Sequence, residues 1–152
     1  MSTLKVLEVV AGGQPFALDV AVIQGIERPR RWARLPWAPP YVRGICEFAG
    51  EVVTVVDLAA RLALKSGEEQ GTAGVVLLAS AEPVGLAVEA IEGVGVLDLD
   101  AGVLLGPTGL GAGARGLGPD GRVLLEGEPL VDGRPLTPLL EVLGDGWKGA
   151  RP

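Results

Sequence analysis

The strongest constraint on this chain is how often it is interrupted. Twenty-four glycines and twelve prolines among 152 residues break it too often for a helical bundle. Many short strands joined by turns fit that spacing better. Hydrophobic residues make up 48% and charged residues 21%, so the chain can bury a core and is not disordered. Aromatics are only 4%, which leaves Val, Leu, Ala and Ile to do most of the packing. This length suits one domain, or two small lobes sharing a core.

Residues 4–10 read as a strand, Gly12-Gly13 as a tight turn and residues 15–18 as the returning strand. From Asp19, the spacing of Val20, Ile23 and Ile26 predicts a short helix capped by Asp19 and ended or distorted by Gly25. Residues 28–34 form a basic surface connection. Pro36, Pro39 and Pro40 restrict the chain before Tyr41-Val42, and Gly44 ends that piece. Residues 45–48 and 52–56 flank Ala49-Gly50-Glu51 as a hairpin, and Asp57 caps a helix over 58–62. Lys65 to Gly71 is a polar loop. Residues 75–78 and 84–88 make another hairpin, and Ile91, Val94, Val96 and Leu97 continue the apolar pattern. Pro119-Asp120-Gly121 is a turn between two more strands, over 114–117 and 122–125. Leu136, Leu139, Leu140 and Leu143 predict a terminal helix, and residues 147–152 a loose tail. Strand, turn, strand and helix thus occur in that order roughly twice, as two similar small barrels would require.

Several chemistries lack their residues. The chain has no histidine, which removes Ser-His-Asp and Cys-His catalysis and nearly all zinc sites. A net charge of −6 argues against wrapping a phosphate backbone. The lone Cys46 cannot form an internal disulfide, and in a predicted strand it reads as a buried small hydrophobe. Gly111 to Gly116 matches G-x-G-x-x-G by spacing, but Gly118, Pro119 and Gly121 preclude the helix that motif needs. Glu68, Glu69, Asp98 and Asp100 fall in or beside loops, with no Ca²⁺-loop spacing. Neither a secretory signal nor a run near the roughly 20 apolar residues of a membrane span is evident. A cytoplasmic protein without cofactor, metal or catalytic residue is the expectation.

Over residues 39–58 the sequence resembles the CheW-like domain, the adaptor module linking bacterial chemoreceptors to their histidine kinase. The resemblance rests on Pro39, Tyr41-Val42, Gly44, Ile45, Gly50, Val52-Val53, Val55-Val56 and Asp57-Leu58. Upstream, Phe16 to Asp19 with Ile23 and Ile26 match the family's strand-to-helix transition. Downstream, Val84 to Glu89 with Ile91 and Val94 match a second block, and Gly116-Leu117-Gly118 with the closing leucines fits the end. The resemblance implies an all-β fold with short helices: two five-stranded SH3-like barrels packed on each other, with a C-terminal helix. It implies one domain over residues 1–146, with lobes at about 15–80 and 81–135. It also implies no enzymatic activity, and surfaces for a methyl-accepting chemoreceptor tip and for the regulatory domain of a CheA-type histidine kinase. The protein would then be recruited to receptor arrays.

The departures fall on charged positions. Where the family has Asn-Leu-Arg-Gly, this chain has Glu47-Phe48-Ala49-Gly50; where it has Val-x-Glu-Ile, this chain has Ile23-Gln24-Gly25-Ile26. The Pro expected before Asp-Leu is Thr54. The partner-binding candidates are therefore Ile23, Gly25, Ile26, Val42, Glu47, Ala49, Val88 and Ile91, the apolar ones lining a groove between lobes. Retention of the kinase contact is the point these changes put at issue. The alternative is a small β-barrel binding an anionic ligand or nucleic acid through Arg28, Arg30, Arg31 and Arg34, with Trp32 between.

Overall fold

A computed structural model describes residues 2–64, 71–106, 109 and 111–144. Most of the predicted loop over 65–71, with Glu68 and Glu69, and the tail over 147–152 lie outside the described residues. Strands β1 (Thr3–Ala11) and β2 (Gln14–Asp19) form the predicted hairpin, with Val9 opposite Phe16. Gly12 and Gly13 turn it at φ 58° and 74°, values that L side chains adopt with strain. Asp19 then caps a single 3-10 turn, Val20–Val22, by accepting a hydrogen bond from the Ala21 amide at 2.9 Å.

The predicted helix stops there. Residues Ile23–Glu27 form β3, and Gly25 marks a bulge in that strand. The three-residue spacing of Val20, Ile23 and Ile26 mimics a helical face. β-branched side chains favour a pleated surface, and pairing with β6 decides the outcome. Gly44 likewise lies inside β4 (Val42–Phe48) rather than ending a segment. β4 returns through Ala49-Gly50 to β5 (Glu51–Asp57), and Asp57 caps α1 (Leu58–Arg61).

β6 (Gly74–Leu78) and β7 (Val84–Val88) make the next hairpin, followed by β8 (Ala90–Asp98) and the two-residue β9 (Val103–Leu104). β10 (Ala114–Leu117) and β11 (Val123–Leu125) pair antiparallel. α2 (Gly127–Val131) follows β11 directly and falls where no helix was expected. The terminal helix α3 is shorter than predicted, Leu139–Leu143, with Leu136 ahead of it. Pro138 explains the late start, since a proline is tolerated at a helix beginning but not in its interior.

The strands build two mixed sheets, one in the order β8-β1-β2-β11-β10-β9 and one in the order β3-β6-β7-β5-β4. Each contains one parallel pair, β2 with β11 and β5 with β7. This is the doubled pattern expected, with one sheet gaining β9 as a sixth strand and both keeping open edges. The hairpin β1–β2, first in sequence, completes the sheet made by the second half of the chain.

Burial is partitioned three ways. The shared core joins Leu7, Val9, Phe16 and Leu18 of one sheet to Val56, Val76, Leu86 and Val88 of the other. Behind one sheet lies a small cluster of Val6, Ala17, Leu97 and Leu124. Behind the other lie Cys46, Phe48, Val53, Val55, Val75 and Ala87. Strand β7 is buried at all five positions because it meets a core on both faces.

Candidate partner-binding surface

Three arginines, Arg61 and Arg122 buried and Arg43 partly so, are used internally. Arg43 Nη2 donates to Asp57 Oδ2 at 3.0 Å and Nη1 to Thr72 Oγ1 at 3.0 Å, while Asp57 also caps α1. Arg61 donates to the carbonyls of Leu130, Pro129 and Arg134 at 2.8, 2.9 and 2.5 Å and stacks 4.4 Å from the Tyr41 ring centre. Arg122 donates to Phe16 O at 3.1 Å and to Glu92 Oε1 at 3.0 Å. Its Nε lies 3.1 Å from Glu8 Oε2 without hydrogen-bond alignment, an ion pair by distance. Sequence reasoning singled out none of these three, because nothing local distinguishes a buried arginine from a solvated one.

The arginine-rich segment is partly built into the fold. Ala33 exchanges backbone hydrogen bonds with Ile45 at 2.9 and 2.8 Å, so the segment runs along the outer edge of β4. Arg30 donates to Glu47 O at 3.3 Å and sits 5.2 Å from the Phe48 ring centre. Trp32 packs against the cluster of Cys46 and Phe48, with Arg43 5.6 Å from its ring centre. Trp32 is thereby committed at least in part to packing inside the protein and not to a ligand.

Other chemical readings dissolve in the same manner. Residues 114–117 of the glycine-rich run form β10, so a strand follows where a phosphate-binding loop requires a helix. Asp98 accepts from the Asp100 and Ala101 amides and organises a turn, while Asp100 accepts from the Ser2 amide and ties that turn to the start of β1. Among the described residues no group of three or more His, Cys, Asp or Glu side chains is placed to hold a metal. No described helix is long and apolar enough to cross a membrane.

The eight candidates do not form one groove. Val88 is buried opposite Gly74, and Ile91 Cδ1 lies 2.7 Å from where a Cβ on Gly74 would stand. The Glu27 carbonyl is 3.6 Å from the same point, so Ile91 reaches the end of β3 that carries Ile26. Ile26 itself is 49% exposed. Ile23 sits at the opposite end of the β3–β6 ladder, opposite Leu78 and half-buried against the shared core, with Gly25 at the bulge between. Val42 lies on β4, the other edge of that sheet, paired with Val56. Glu47 and Ala49 are exposed at the β4–β5 hairpin end. Val88 and Ile91 meet beside Gly74, and Ile26 lies on the strand end next to them.

The structure places part of the apolar pattern over residues 91–97 at an exposed sheet edge. β8 is an outer strand, and its Val94 and Val96 are 62% and 70% exposed. Alternation with Gly93 and Gly95 would by itself suggest a buried valine face, and only the outer position of β8 leaves that face uncovered.

Two mixed sheets around one shared core, with arginines committed to internal contacts and apolar residues left on an outer strand, define the class: a two-sheet β domain. The chain belongs to the CheW-like domain family, whose model matches residues 5–125. It is 28% identical over 75 residues to the chemotaxis protein CheW of Bacillus subtilis (strain 168), covering 49% of this chain and 48% of that one. It is 31% identical over 83 residues to the chemotaxis protein CheW of Rhizobium meliloti (strain 1021), covering 53% of each. The chain thus spans about half the length of the curated relatives it matches. The fold is similar to that of the scaffolding protein TtCheW from Thermoanaerobacter tengcongensis, with a TM-score of 0.66 at 17% identity over 82% of this chain and 88% of that one.

Proposed function

We propose that this protein is a non-enzymatic adaptor of a bacterial chemosensory pathway, coupling a chemoreceptor to a CheA-type histidine kinase or holding only one of them. The observation that carries the reading is the match to the CheW-like domain across residues 5–125, on a fold of the same kind. Its receptor contact is the surface around Ile26 and Ile91, backed by buried Val88, where exposed Ile26 and half-buried Ile91 can accept the apolar stripe of a receptor helix. The kinase contact is the altered one. Glu47 and Ala49 replace the family's amide and guanidinium at an exposed hairpin end, and truncating one partner of an interfacial charged hydrogen bond costs about 2–5 kcal/mol.

Co-purification of the full chain with a receptor signalling fragment and with the regulatory domain of a kinase, both from the native host, tests this. Recovery of neither removes the adaptor reading. Restoring the family residues by Glu47→Asn with Ala49→Arg is expected to change partner choice while moving stability by less than about 0.5 kcal/mol, as surface changes do. A variant that unfolds would show that this hairpin end is not a free surface.

A further inference from the structure

Where the β6–β7 turn faces α2, a cleft of about 710 Å³ opens at one end of the molecule. Its floor is apolar, formed by Val22, Leu78, Val84 and Val131. Glu82, Glu126, Glu128 and Asp132 stand around it, and none of the described residues lining it is cationic. Gly127 keeps the floor open: a Cβ there would already touch Val22 Cγ2 at 3.6 Å and Leu78 Cδ1 at 3.8 Å. Two of the carboxylates are partnered from outside, Glu126 by Arg115 at 3.7 Å and Asp132 by Arg134. The Arg134 hydrogen bond holds the Asp132 carboxyl below its ordinary value of 3.8, so that pair is an ionised one. Glu82 and Glu128 are exposed at the rim.

A cleft of this volume accommodates a ligand of drug or short-peptide size. The floor calls for a bulky apolar group, and the rim for positive charge on both sides of it. We propose that this cleft docks a cationic segment of a partner protein, seating one large apolar side chain on Val22, Leu78 and Val84 while flanking lysines or arginines face Glu82, Glu126 and Glu128. The chain's own Arg28–Arg34 segment does not fill it from within. Trp32 and Arg30 pack on the Phe48 side of the five-stranded sheet, whereas Leu78 and Val84 belong to the core on its other face. The site is distinct from the surface around Ile26 and Ile91 and does not depend on the adaptor reading.

The test is fluorescence anisotropy of a labelled peptide KRWLKR, and of its charge-reversed form EEWLEE, against the full chain. The cationic peptide is expected to bind in the micromolar range and weaken with salt, and the anionic one not to bind. Glu82→Lys with Glu128→Lys should weaken binding by about tenfold or more. Gly127→Leu, which fills the floor without changing charge, should do the same, with thermal melts confirming that each variant is folded. Glu51→Lys, an exposed carboxylate on the β4–β5 hairpin, should leave binding unchanged. No binding, or equal loss in Glu51→Lys, overturns the proposal. Sedimentation showing self-association of the natural chain that the cleft variants abolish also overturns it, because a second copy would then be the occupant.

Discussion

At the scale of single residues, Gly44 shows how a backbone position becomes fixed by its neighbours. It has φ 150°, and a Cβ there would stand 2.2 Å from the Ala33 carbonyl oxygen, inside the bridge that joins Ala33 to Ile45. Backbone atoms cannot yield as a flexible side chain can. Gly44→Ala is therefore expected to lose about 2–4 kcal/mol by chemical denaturation, with release of the arginine segment seen as increased amide exchange at Ile45. Unchanged stability would mean that the bridge does not form. Ala49 is the opposite case. It adopts φ 49° beside Gly50 at φ 82°, the pair of left-handed conformations a two-residue type I′ turn needs, and asparagine would suit the position better. The family's arginine at this position would carry the same backbone cost as alanine, so its loss here is a change of surface and not of turn.

At the scale of elements, the short helices depend on side chains far away in sequence. α2 has five residues, no side-chain cap at its start and too little length to be stable alone. Arg61, at the end of α1, closes it by donating to two carbonyls of its last turn and to Arg134 O beyond. Replacing Arg61 by Met keeps much of the packing but leaves those buried carbonyls unpaired. The expected loss is about 3 kcal/mol, with exchange protection falling first at Leu130 and Val131; Arg61→Lys should recover only part of it. A uniform loss of protection across the chain would indicate that α2 is held by packing alone. β3 teaches a related lesson. Its apolar spacing fits a helix, yet the β6 edge offers it backbone partners, and the bulge at Gly25 absorbs the mismatch.

At the scale of the molecule, the first hairpin belongs to the sheet of the last strands. Among the described residues β1 is the only strand that β8 pairs with, and β2 is the parallel partner of β11. Removing residues 2–13 would strip β8 of its ladder and uncover Phe16, Val123 and Leu125 in the shared core. The truncated chain is expected to lose cooperative folding, while the full chain melts in one transition seen alike by far-UV circular dichroism and tryptophan fluorescence. A truncated chain that keeps a cooperative melt would show that the five-stranded sheet stands alone.

Hairpins, their turns and most strand positions could be read along the chain, because glycine turns and β-branched runs act over a few residues. The adaptor resemblance was legible for the same reason, since it rests on those turn and core positions. Strand neighbours distant in sequence, the edge position of β8 and the three internally bonded arginines depend on contacts between residues far apart. So did the scatter of the eight candidates, of which Val88 and Ile91 meet beside Gly74 while the others spread over both edges of the sheet. What the sequence determined by itself is the local alternation of turn and strand; what only the tertiary structure decided is which edges stay open and which carboxylates face one another, because burial and charge are properties of assembled surfaces.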